Sequence, residues 1–255
     1  MDKPHACVSE MTKPVALQRK IRHRLDPERY EREAFANCGG ATASAIEIST
    51  ILDQLSSLEG DSILELGVGP GRILKKLVGR GFRIVGMDYD PNMVYFSARR
   101  TRNDQDIDLL VADGQNLPFR GGVFDAIICI RVLKYFSLPQ EGVREICSAL
   151  KSNGLLLLEF PNLFGLSALA QIFQLLRRTD FFPRLFKLST VEEFVTENSV
   201  RIQSEQGMFK IPPKIWTLAR SKTLVGFLVS FEKILHKITP VEMLSKSIIL
   251  QGKKA

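Results

Sequence analysis

The chain of 255 residues has no CxxC pair, only three histidines, and no apolar run near the ~20 residues a membrane-spanning helix needs. Each lack excludes something. The four cysteines, Cys7, Cys38, Cys129 and Cys147, are widely scattered. Cys129 and Cys147 lie in apolar surroundings and read as small buried hydrophobes rather than disulfide partners or zinc ligands. No metal site is expected. The N-terminal MDKPHACVSEMTKP lacks the continuous apolar core of a signal peptide, so a cytoplasmic location is expected. Low-complexity stretches and repeats at solenoid periods are also missing.

What remains is an ordinary globular composition, 45% hydrophobic and 25% charged, enough for a full core. The net charge of +7 is unevenly placed: +3 over residues 1–32, −3 over 33–160 and +7 over 161–255. Excess positive charge at both ends favours an anionic partner, although most surface bases are simply solvated. Residues 1–26 read as a flexible basic terminus and 27–255 as one domain. Within it, 62–162 forms a ligand-binding core and 163–245 a substrate lobe with a helical insertion.

From Pro27 to Leu58 helical spacing dominates, with Ile46, Ile48, Ile51, Leu52 and Leu55 on one face. SILEL (62–66), FRIVGMD (82–88), IDLLVAD (107–113), FDAIICI (124–130) and LLLLEF (155–160) are strand-like and nearly free of polar alternation. Helical stretches separate them, Pro91 opening one and LPQEGVREICSALK (138–151) forming another. This alternation predicts an α/β fold, a parallel sheet covered on both faces. Further on, 163–178 reads as helix, and Ser189 with Glu192 as a capping box opening another. Residues 200–206 and 247–254 read as strands, and 214–237 as an amphipathic basic helix.

The chemistry concentrates in ELGVGPGR, Glu65 to Arg72, at a strand-to-helix junction. Gly67, Gly69 and Gly71 let the backbone turn tightly and approach a ligand, and the following helix is expected to aim unpaired N–H groups at it. The dinucleotide fingerprint GxGxxG would need its third glycine at position 72, which is Arg. The pattern is instead an acid two residues before GxGxG. That carboxylate would repel a pyrophosphate and suit a cationic amino-acid moiety. Asp88 follows Gly67 by 21 positions, near the ~20 expected of an acid gripping ribose hydroxyls. Asp113 ends the third strand, where it can accept an adenine amino proton. A lone acid at such a place is more often a helix N-cap. Three at successive strand ends weaken that interpretation.

The ordered set ELGVGPGR, GMDYD (86–90), ADGQNLPF (112–119), FDAIICIRVLKYF (124–136) and ALKSNGLLLLEFPN (149–162) resembles the class I S-adenosylmethionine-dependent methyltransferases. Its flavour is that of their small-molecule branch, the ubiquinone/menaquinone methyltransferases. The resemblance implies a Rossmann-like doubly wound seven-stranded sheet, mostly parallel, of order 3-2-1-4-5-7-6. It implies S-adenosylmethionine as cofactor, held by Glu65, Gly67, Gly69, Gly71, Asp88, Tyr89, Asp113, Gly114 and Ile130. Many relatives carry a histidine where this chain has Lys134 or Tyr135. His5, His23 and His236 all lie outside the motifs, so no catalytic base is assigned. Tyr30, Arg131 and Lys134 are the candidate substrate-binding residues.

The expected function is methyl transfer to a small or lipid-like, apolar acceptor. A nucleic-acid or protein methyltransferase is the alternative, but no zinc module, RNA-binding domain or Asn-Pro-Pro-Tyr-type tetrapeptide supports it. A non-catalytic cofactor-binding relative is the third reading, opposed by the intact motif and both strand-end acids. The C-terminal helices leave two readings open: peripheral membrane contact, or capping of the sheet around an apolar pocket.

Overall fold

The computed structural model describes residues 26–35, 38–102, 104–165, 184–219, 221–240 and 244–255. Apolar segments form the strands, and their order follows from which of them can be buried on both faces. SILEL makes β1 (Ser62–Leu66), which lies between β2 (Arg83–Asp88) and β4 (Phe124–Cys129), parallel to both. β5 (Leu150–Pro161) extends the parallel run beside β4. β7 (Ser247–Lys254) then inserts antiparallel between β5 and β6 (Val200–Met208). With β3 (Ile107–Val111) beside β2, the sheet has seven strands in the order β3-β2-β1-β4-β5-β7-β6, as the family resemblance implies.

Period-two alternation divides the strand residues between two cores. On one face Leu64, Leu66, Ile127, Leu156 and Leu158 meet α5 (Pro139–Ala149) and α6 (Leu188–Thr196) through Val143, Ile146, Val191 and Val195. On the other, Ile63, Ala126, Ile128, Leu155 and Leu157 meet α2 (Cys38–Leu55) and α8 (Lys222–Ile238) through Ile51, Leu55, Val225 and Leu228. Each fully buried aliphatic side chain contributes about 1.5–3 kcal/mol. A continuous apolar sequence is therefore needed only where both faces are covered. β3 departs from that expectation: it is an edge strand, and Leu110 and Val111 are exposed.

Other boundaries differ from the sequence reading. The helical pattern of 27–58 forms two described helices, α1 (Pro27–Phe35) and α2. The helix after the glycine loop, α3, is only Leu74–Leu77. The expected capping box also fails. α6 begins at Leu188 after Lys187, with no side-chain cap, so Ser189 already lies inside the helix. α4 (Pro91–Thr101) does start at Pro91, with Asp90 as N-cap. α7 (Pro213–Leu218) and α8 occupy the predicted basic helical region. Most of the predicted terminus 1–26 and helix 163–178 lies outside the described residues. Among those described, no helix is long and apolar enough to cross a membrane.

Candidate active site

The carboxyl ends of β1 to β4 open into one cleft of about 1270 Å³, counting its mouth. Gly67 and Val68 donate their N–H groups to Met87 O at 2.7 and 3.0 Å, carrying the β1–β2 pairing into the loop. The chain then turns through left-handed Gly69 (φ +52°). A Cβ at Gly69 would meet nothing nearer than Gly67 O at 4.0 Å, whereas one at Gly67 would stand 2.2 Å from Val132 Cγ2. Gly67 thus serves close packing, and Gly69 leaves open the space a ligand would fill.

Glu65 lies beneath this loop. It is buried, and its Oε2 has no hydrogen-bond partner. Burial pushes its pKa up to about 8, against the opposing pull of Arg72. A buried carboxyl with one oxygen unpartnered, facing a cleft, fits a cationic amino group, whose approach would restore the charge that burial suppresses. The helix expected to aim its N–H groups at the ligand is reduced to a single turn, α3. That loss suits an amino-acid moiety better than a phosphate.

Asp88 ends β2 with both oxygens engaged: Oδ2 accepts Gly69 N–H and Oδ1 accepts Asp90 N–H, each at 2.9 Å. Each carboxylate oxygen has a second lone pair, which leaves acceptor capacity for a ribose hydroxyl. Asp113 Oδ1 accepts from Gln115 N at 3.0 Å and Gln115 Nε2 at 3.3 Å. Gln115 Oε1 in turn accepts from Ser137 N and Leu138 N, tying the β3 loop to the loop after β4. Tyr89, Gly114 and Ile130 line the same cleft, as do Tyr30 of α1 and Arg131. Lys134 is not among the lining residues; its ammonium stands 5.1 Å from the Tyr135 ring centre.

Three further features escaped the sequence reading. Asp90 was hidden by its role as N-cap: Oδ1 accepts Asn92 N–H at 2.9 Å, while Oδ2 is buried beside the cleft without a partner. Glu47, only 2% exposed, reaches from α2 to ion-pair with Arg72 of the glycine loop and with Arg131 Nε at 3.1 Å. Burial favours its protonation, but Arg131 and Arg72 outweigh it and hold the pKa below the ordinary value. Arg131 is itself left-handed (φ 64°), and its N–H is held by buried Glu159 at 2.8 Å. Lys246, just before β7, is the third. Burial and the nearby Arg131 and Lys134 lower its pKa to about 8. No spacing rule could join Glu47 to residues 25 and 84 positions away.

Residues 64–158 match the family described as methyltransferase domain. The demethylmenaquinone methyltransferase of Clavibacter sepedonicus is 29% identical over 100 residues, 39% of this chain and 41% of that protein. The ubiquinone biosynthesis O-methyltransferase of Rickettsia prowazekii is 23% identical over 207 residues, 76% and 81% of the two chains. The alignments span 34% and 41% of the first two curated relatives' length. Among solved structures, magnesium protoporphyrin IX methyltransferase of Synechocystis PCC 6803 superposes with a TM-score of 0.64 at 14% identity. That match covers 95% of this chain and 97% of the other. Residues 64–158 are thus similar to a methyltransferase domain, and the fold that carries them is shared along nearly the whole chain with a solved methyltransferase.

Proposed function

We propose that this protein transfers a methyl group from S-adenosylmethionine to a small or lipid-like, apolar acceptor. The carrying observation is the buried Glu65 carboxyl, with its Oε2 unpartnered, under a glycine loop that leaves ligand space above Gly69. Glu65 and the loop from Gly67 to Gly71 hold the amino-acid end. Asp88, with Tyr89 beside it, takes the ribose; Asp113 and Gly114 take the adenine edge, against the apolar wall of Ile130. When bound, the cofactor supplies a sulfonium methyl, already a strong electrophile. The chain's part is then mainly placement: an acceptor atom held in line at near-attack distance supplies much of the acceleration. Tyr30 and Arg131 stand where they can orient that acceptor, and Lys134 adds positive charge near by.

Val132, Tyr135 and Phe136 line the cleft and favour an apolar acceptor. The quinone methyltransferases among the relatives support the same class. A lipid-like acceptor fits a cytoplasmic protein positioned peripherally at a membrane. Calorimetry with S-adenosylhomocysteine tests the cofactor assignment, and absence of binding by the wild-type protein overturns it. Incubating methyl-labelled cofactor with lipid, quinone and small-molecule extracts tests the acceptor class. Label in an apolar product supports the reading, whereas label only in nucleic acid or protein refutes it.

A further inference from the structure

α8 is apolar on two sides. Val225 and Leu228 are buried in the core shared with α2, yet Leu224, Phe227, Phe231, Ile234 and Ile238 are exposed, Phe227 by 65% and Ile238 by 69%. These five follow 3-4-3-4 spacing and form one stripe along a 17-residue helix, about 25 Å long. The Phe227 and Phe231 rings stack with centres 6.3 Å apart.

The helix cannot roll to bury that stripe, because its inner side is pinned by polar groups. Buried Glu232 accepts the backbone N–H groups of both Lys210 and Ile211, in the segment just after β6. The Lys210 ammonium caps the far end of the helix, donating to Thr239 Oγ1 at 2.6 Å and Pro240 O at 2.7 Å. Breaking these bonds would strand buried polar groups, so the outward face is built in.

Charge identifies the occupant. At about 100° per residue, Lys237 falls beside the stripe, and Lys233 and Lys222 follow it round the exposed side toward the buried face. All three are exposed, and the helix's only acid, Glu232, points inward. A second copy of the chain pairing through this seam would set lysines against lysines. Helix-pairing interfaces are normally flanked by opposite charges instead. An apolar stripe beside a purely basic row suits the boundary between acyl chains and anionic headgroups.

We infer that the outward face of α8 docks the protein on an anionic lipid surface. The inference rests on the proposed lipid-like acceptor for its purpose, but the binding is measurable without methyl transfer. The full chain is sedimented with vesicles of phosphatidylcholine and phosphatidylglycerol, and with phosphatidylcholine alone. The comparison includes F227S/F231S and K222Q/K233Q/K237Q variants whose melting and S-adenosylhomocysteine binding match wild type. Wild type should sediment with the mixed vesicles at low salt and be released as salt rises. Either variant should weaken that binding by about tenfold or more.

Wild type left in the supernatant at every ionic strength overturns the inference. Variants that bind as well as wild type also overturn it. So does a wild-type dimer that F227S/F231S dissociates while vesicles recruit nothing, since the face would then belong to a second copy. Vesicle binding without S-adenosylhomocysteine binding would sink the methyltransferase reading and leave the docking face standing.

Discussion

Asp88 Oδ2 accepts the N–H of Gly69 at 2.9 Å, so the acid at the tip of β2 holds the loop at the tip of β1. The residue expected to grip a ribose is also the clasp of the glycine loop. Asp88→Ala removes the clasp and, with it, the proposed ribose contact. With charge-assisted hydrogen bonds worth about 1.5–3 kcal/mol, S-adenosylhomocysteine affinity should fall roughly 10–100-fold per bond lost. Asp88→Asn should also weaken binding, since an amide offers one oxygen where the loop and Asp90 use two. Calorimetric affinity equal to wild type in both variants would remove Asp88 from the site.

Two glycines separate ligand space from backbone strain. Gly69 (φ +52°) and Gly79 (φ +70°) are both left-handed, and a Cβ on either meets no close neighbour. Alanine at either should cost about 1 kcal/mol of stability through backbone strain alone. Only Gly69 lines the cleft. Gly69→Ala should therefore weaken S-adenosylhomocysteine binding well beyond any effect of Gly79→Ala at matched stability. Equal affinities in the two variants would mean that the ligand does not lie against the loop.

Glu65 should make cofactor binding proton-linked. Its pKa in the folded protein, about 8, stands above the ordinary 4.5, so the folded state holds a proton that the unfolded chain releases. Its contribution to stability is complete below pH 4.5 and is lost progressively as pH rises toward 8. A cationic amino group arriving beside it would expel that proton. Calorimetry near pH 6.5 in buffers of different ionisation enthalpy should show release of about one proton. Glu65→Gln should abolish the release and bind more weakly.

Glu47 joins α2 to both loops that frame the cleft. Removing a buried charge partner costs about 3–5 kcal/mol, because the opposite charges are left uncompensated. Glu47→Ala should lower stability to denaturant toward that range, and cofactor affinity should fall at temperatures where the variant remains folded. Stability within about 0.5 kcal/mol of wild type, the range of ordinary surface changes, would mean that the cluster is solvated.

The sheet could be read from SILEL, FDAIICI and LLLLEF because a doubly covered strand must be apolar throughout, which is a local property. The glycine loop and the acids at 65, 88 and 113 were legible for a similar reason: each sits at a strand end that hydrophobic patterning already marked. β3 misled because an edge position is conferred by the absence of a neighbour, which composition does not record. The Ser189 box misled because chain direction at Lys187, rather than side-chain capping, starts α6.

Sequence alone therefore determined the strand series and the place of the glycine loop, since both depend on contiguous residues and the periodicity of one element. Tertiary structure decided the rest. It joined Glu47 to Arg72 and Arg131, left one Glu65 oxygen unpaired, and turned five large apolar side chains of α8 outward. Ion pairing, desolvation and exposure depend on which distant segments become neighbours. An amphipathic pattern shows that a helix has an apolar side, but only its packing shows whether the protein itself covers that side.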